Sequence, residues 1–293
     1  MTWLIIVIIA HLFYALVFVI DKYILSRSLP HPIVYAFYVG ILSIAIWVLA
    51  PFGFYFPSSE ETILILLAGI AQVAGWIFFY KAIHKGEVSR IIPFVGAFIG
   101  IFTLILSVLI IGEVLTSKQL LAIVLLILGS LIVSLKKREI FQGYFRLAIL
   151  ASLLFAVFWV ITKYIFLDTT FISGIIWIRT GVAVIALTLL ISKKNRELIF
   201  QRTEKLEAST VKAFLIGRAS GVLGALGIYL AVFWGSVALV NSLQGLQYVF
   251  VLILALLLFR KFPKLREEFS REIIIQKIIA IILIGAGLFI LVS

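Results

Sequence analysis

The chain has 293 residues, of which 64% are apolar and only 13% charged. A soluble domain of that length carries about half apolar and about a quarter charged residues, so a single water-facing globule is excluded. There is no cysteine, which removes disulfides, zinc–thiolate sites and thiol catalysis. The apolar residues fall in blocks of about 20, the length a helix needs to cross a hydrocarbon layer about 30 Å thick. Backbone groups must be paired inside lipid, which leaves helices or closed barrels. The blocks are apolar all round and lack the alternation of barrel strands. The expected class is therefore an all-α integral membrane protein with about ten transmembrane helices.

In chain order the spans are expected at 3–24, 32–52, 62–82, 89–111, 118–135, 145–166, 171–191, 212–234, 238–259 and 273–292. Span one begins at Trp3 with no basic residue before it and no cleavage site, so it reads as retained rather than as a signal. His11 and Tyr14 lie one turn apart on one of its faces, as a proton relay or as hydrogen-bonded packing residues. Asp21 and Lys22 stand near its end, where a lysine can snorkel to the surface. Pro30 and Pro32 separate it from span two, which Pro51 and Pro57 close.

Span three carries Gln72, Trp76 and Tyr80 at i, i+4 and i+8, on one face. An aromatic stripe with polar tips suits a cavity wall that stacks on planar solutes; it equally suits a core or an interfacial belt. Span four holds Pro93, a possible kink, and Gly96-x-x-x-Gly100, whose small residues allow close helix approach. Glu113 ends it, a boundary position. Span six carries Trp159, Thr162 and Lys163.

Arg179 lies eight residues into span seven, near mid-membrane, where a charge is costly unless it faces protein or water. It attracts an anionic solute group or gating carboxylate, or it pins helix carbonyls. Span eight contains Arg218, within snorkelling reach of the surface, and Gly217, Gly221, Gly224 and Gly227 along one side. Span nine places Asn241, Gln244 and Tyr248 on one helical face with Gln247 about 100° away, either bonding across helices or lining a cavity.

The basic residues are unevenly spread. Connections after spans one, three, five, seven and nine, with the adjoining helix ends, hold 21 of the 25 Lys and Arg; the remaining connections hold one, Lys118. Positive loops stay in the cytoplasm, so both termini are expected outside, in a plasma (inner) membrane protein. The net charge of +12 is explained by topology and anionic lipid, without nucleic acid.

The chain also repeats itself. Residues 12–24, LFYALVFVIDKYI, and 153–165, LLFAVFWVITKYI, share seven of thirteen positions. Tyr80, Ala82, Gly86, Val88 and Gly96 fall on Tyr229, Ala231, Gly235, Val237 and Gly245. Each unit, 1–140 and 141–293, then has five spans. Two copies with an odd span number must lie in opposite orientations, an architecture of secondary transporters with a midplane site between the halves.

Tyr80-x-Ala82, Gly86, Val88-Ser89, Pro93, Gly112-Glu113, Gln119 and Gly129 resemble the drug/metabolite transporter superfamily in its ten-span EamA-type form, along essentially the whole chain. Arg179 matches an arginine often seen at its repeat position. The second half departs from the pattern: Phe259-Arg260-Lys261 stands where Gly-Glu ends the fourth span of a repeat, and Tyr38 replaces the arginine counterpart. Relatives are often drawn with cytoplasmic termini, opposite to the charge count. The resemblance implies a central cavity lined by the first, third, fourth and matching second-half spans, and export or exchange of amino acids, sugars or drug-like solutes.

The sequence contains no P-loop, no His-Glu-x-x-His and no G-x-S-x-G, so no enzyme and no cofactor is expected. The expected function is a secondary transporter working by alternating access. Its candidate substrate-binding residues are Arg179, Gln72, Trp76, Tyr80, Asn241, Gln244, Tyr248, His11, Tyr14 and Trp159. The partners are a small-molecule substrate and membrane lipid, with a homodimer left open. The rivals are an intramembrane enzyme acting on lipid-linked substrates, which needs a reactive interfacial groove, and a scaffold with a filled interior.

Overall fold

The computed structural model describes residues 2–24, 31–85, 88–134, 144–201, 208–258 and 271–293. Pro30, Gly86, the basic run 136–138 and residues 259–270 lie outside this set, as do the side chains of Asp21 and Lys22. All regular structure among the described residues is helical, and ten stretches are long and apolar enough to cross a membrane. Span one is α1 (Thr2–Ile24); span two is α2 (Pro32–Leu42) continued by a 3-10 stretch, Ser43–Phe52. Span three is α3 (Ser59–Lys85), and span four is α4 (Val88–Leu106) with a π turn, Ser107–Ile111. Spans five, six and seven are α5 (Ser117–Ser134), α6 (Tyr144–Asp168) and α7 (Phe171–Thr188). A short helix α8 (Lys193–Ile199) precedes span eight, α9 (Ala208–Trp234). Span nine comprises α10 (Val237–Ser242) and α11 (Gly245–Leu258), and span ten is α12 (Arg271–Val292).

The helix starts follow local chemistry. Ser58 and Glu61 form a reciprocal capping box on α3: Ser58 N donates to Glu61 Oε2 at 2.6 Å, and Glu61 N to Ser58 Oγ at 3.2 Å. Thr116 and Gln119 do the same for α5, at 2.9 and 3.2 Å. Gln119 thus has a structural task. Thr170 and Ser236 cap α7 and α10 with their hydroxyls. α4 runs continuously through Pro93; the irregular part of span four is its far end, where Gly112 takes φ 71°. That left-handed conformation suits glycine and turns the chain out of the helix.

In packing, α1 lies along α9, α3 along α6, and α5 along α12, while α7 packs on α3. Lipid tails are as apolar as leucine, so close backbone approach rather than water exclusion holds such pairs together. The glycines of α9 show this. Gly217, Gly221, Gly224 and Gly227 all face α1, against Ile20, Val17, Tyr14 and Ala10 in turn. A Cβ on Gly224 would stand 3.1 Å from the Tyr14 ring, and one on Gly227 2.9 Å from Ala10 Cβ. Gly69 of α3 faces the Gly181 carbonyl of α7 in the same manner. Apolar side chains left outside, such as Leu109 at 76% exposure and Phe289 at 73%, are what a lipid-facing surface requires.

Candidate functional site

Arg179 projects from α7 toward α9, where its Nη1 donates to the Tyr229 hydroxyl at 3.5 Å. It stands eight residues from the start of α7, about 12 Å along the helix axis, which leaves it deep in the span. Tyr229 is buried at 3% exposure and surrounded by rings: Trp159 at 5.1 Å between centroids, Phe158 at 6.3 Å and Phe166 at 6.5 Å. Tyr14, seated on Gly224, lies within electrostatic reach of Arg179, Tyr229 and Tyr35. Tyr35 stacks on Tyr80, with centroids 3.8 Å apart. Six spans therefore converge: one, two and three through Tyr14, Tyr35 and Tyr80, and six, seven and eight through Trp159, Arg179 and Tyr229.

The arrangement offers one guanidinium, several phenol hydroxyls and aromatic walls. Arg179 can donate further hydrogen bonds in a planar fork that matches a carboxylate. Its described partner is a neutral hydroxyl, not the helix carbonyls that a structural pin would use. Trp159, with Trp76 of α3, packs against two separate buried clusters and so lies at their junction. His11 is buried next to Tyr14, ring centroids 6.3 Å apart, and neither of its ring nitrogens has a hydrogen-bond partner. Gln72 is buried with its Oε1 unpartnered. Buried polar atoms are nearly always paired, so these groups retain hydrogen-bonding capacity next to Tyr14 and in span three.

The remaining expected residues form a different seam. Gln244 and Tyr248 sit against Gly96 of α4, where an added Cβ would meet Gln244 Oε1 at 2.8 Å and the Tyr248 hydroxyl at 3.1 Å. Gly100 faces Ser242 and Ile127. The G-x-x-x-G of span four is thus the seat of span nine. Asn241 is buried and turns its amide back to Val237 O of its own helix, at 3.0 Å. A continuous helix would have put Asn241, Gln244 and Tyr248 on one face. Instead the helix breaks at Leu243–Gln244, with Gln244 N reaching Asn241 O and Leu246 N reaching Leu243 O, so that Asn241 belongs to α10 and Tyr248 to α11.

Lys163 is engaged structurally. Its Nζ donates to Val232 O at 3.0 Å and Phe233 O at 3.2 Å, the last turn of α9, and it interacts electrostatically with Glu113. Arg218 is half-buried and has partners of its own. Tyr38 is exposed and donates to Ile199 O of α8.

Sequence reasoning placed Tyr229 in the repeat but not in the site, and it passed over Tyr35. Tyr229 was legible, since it is the repeat counterpart of Tyr80. Tyr35, four residues into its helix, offered no such signal.

Residues 1–135 match the profile of the EamA-like transporter family. Among curated proteins none matches the sequence. A solved structure titled only as a crystal structure of a protein has the same fold: it covers 99% of this chain and 97% of its own, with a TM-score of 0.67 at 14% identity. That likeness extends the fold across both halves.

Proposed function

We propose, for a chain whose residues 1–135 belong to the EamA-like transporter family, that it is a secondary carrier moving a small organic metabolite across the plasma membrane by alternating access, as exporter or exchanger. Members of that family are membrane transporters, and this chain is a multi-pass membrane protein. The observation that carries the finer reading is the Arg179–Tyr229 contact, with Tyr14, Tyr35, Tyr80 and Trp159 gathered near it from six spans. A charge deep in a span, held by Tyr229 and with aromatic residues of both halves near it, is what a midplane solute site requires.

Two further features support it. If spans one to five and six to ten are related copies, then one on eight and three on six are the same contact seen twice, and both are present. Span nine is discontinuous at Leu243–Gln244, and interrupted spans accompany the sites of inverted-repeat carriers. His11, Gln72 and Trp76 extend the site from Tyr14 and Trp159, while Gln244 and Tyr248 form the seam on which span nine shifts. The loop charges support a topology with the termini outside and the connections after odd-numbered spans in the cytoplasm.

The test is solute counterflow in proteoliposomes with a labelled panel of small metabolites. Saturable exchange of one class, lost when Arg179 becomes Ala, is the expected result. A folded, reconstituted protein that exchanges nothing would return the reading to an enzyme or a scaffold.

A further inference from the structure

We infer that the solute is an organic monoanion, a carboxylate on an apolar body, and not a zwitterion, with Arg179 and the hydroxyl of Tyr229 receiving the carboxylate. The inference rests on the reading of this cluster as the solute site.

The argument starts from charge balance. None of the 13 acidic residues stands in the middle of a span: Glu60, Glu61, Glu113 and Asp168 are at helix ends, Asp21 is three residues from the end of α1, and the rest lie in connections or at the first turn of α12. Arg179 nevertheless sits about 12 Å inside α7, and the partner the structure shows for it is uncharged. Arg179 is half-buried, and a guanidinium partly withdrawn from bulk water without a counter-ion gains a charge-assisted pair of hydrogen bonds from a bound carboxylate. Among the described side chains none supplies a negative charge at this depth, so the solute is left to bring it.

The same count limits the class. A phosphate dianion would need a second cation, and the other deep candidates are engaged: Lys163 with the α9 carbonyls, Arg218 with partners of its own. An α-ammonium group would meet phenol rings and hydroxyls but no carboxylate, so an amino acid gains on one charge and loses on the other. The ring of Tyr229, whose hydroxyl accepts from Arg179, packs 5.1 Å from Trp159, and this aromatic surface beside the guanidinium's partner fits a hydrocarbon or aryl body.

The test compares matched solutes on the purified full-length protein: phenylacetate, benzoate and hexanoate, their neutral amides, and phenylalanine. Binding is read by thermal stabilisation in detergent and exchange by counterflow. At least one acid is expected to bind ten-fold or more tightly than its amide and than phenylalanine. Arg179→Gln is expected to erase that preference while keeping the elution profile and melting point of the unliganded protein. Tyr229→Phe, which keeps the guanidinium, is expected to weaken the acid a few-fold. Equal binding of acid and amide, preference for phenylalanine, no binding of any acid, or an acid preference that survives Arg179→Gln each overturns the inference. Exchange of neutral solutes independent of Arg179 would sink this inference and leave the carrier reading intact. Arg179-dependent acid binding without exchange would do the reverse.

Discussion

Tyr35 of α2 and Tyr80 of α3 stack with ring centroids 3.8 Å apart and planes 29° from parallel. Tyr35 is the fourth residue of α2 and Tyr80 the sixth from the end of α3, so the stack lies toward the face that carries the basic connections. Tyr14, within electrostatic reach of Tyr35, links it to Arg179 and Tyr229. A stacked aromatic pair contributes about 0.5–1.5 kcal/mol beyond its buried area. Tyr80→Ala is therefore expected to raise the half-saturation concentration for exchange by about two- to tenfold. Tyr80→Phe keeps the ring and is expected to stay near wild type. A concentration series in counterflow separates the two, and equal damage from both would assign the effect to the hydroxyl.

Lys163 tests a separate part of the fold. The last carbonyls of a helix have no intrahelical donor and lie at the negative end of its dipole. Lys163 satisfies two of them on α9, and Glu113 lies close enough to interact with it. Lys163→Met is expected to cost about 1–2 kcal/mol of stability, seen as a lower melting point of the purified protein. Lys163→Arg is expected to recover part of it. Solute preference is expected to be unchanged in both. A change in preference without a loss of stability would move Lys163 into the site.

These contacts show which features a sequence discloses. The ten spans were legible because each is a block of apolar residues, most of them bounded by charge or proline, and bilayer thickness fixes its length. Arg179 was legible because a charge inside such a block needs an explanation. The pairing of Arg179 with Tyr229 was not, since the two lie 50 positions apart and only the packing of α7 near α9 brings them together. The break at Leu243–Gln244 was also hidden: apolar periodicity assumes a continuous helix, and no proline or buried charge marks the interruption. Span eight's glycines mark a thinned side in the sequence itself, but nothing in their spacing says that span one fills it.

That seam gives a contrast between two glycines. A Cβ on Gly227 would stand 2.9 Å from Ala10 Cβ, whereas nothing lies within 4 Å of the corresponding position on Gly285 of α12. Overpacking a close interface costs about 1–3 kcal/mol. Gly227→Val is expected to lower the melting point accordingly and to reduce exchange by forcing α1 from α9. Gly285→Ala is expected to be neutral or slightly stabilising, because alanine favours the helix by up to about 1 kcal/mol. If Gly227→Val melted like wild type, the closeness of α1 and α9 would be in question.

His31 supplies a pH dependence from outside the membrane-spanning segments. It precedes α2 as the N-cap, its Nδ1 accepting from Ile33 N at 3.3 Å, and it is exposed. Partial burial comes first, then the positive field of His84, Lys194 and Lys81, in holding its imidazole below the ordinary value of 6.5. The folded chain thus prefers the neutral ring, and the unfolded chain takes up the proton first as pH falls. The stabilisation is complete above about pH 6.5 and is lost as the pH drops through that value toward the lower folded one. Protonation at Nδ1 also removes the lone pair that caps α2. His31→Asn keeps a capping side chain and removes the titration. Between pH 7 and pH 5 the melting point of the wild type is expected to fall more steeply than that of the variant. Because His31 is exposed, added salt is expected to narrow the gap. Parallel slopes at low salt would assign the acid sensitivity to other groups.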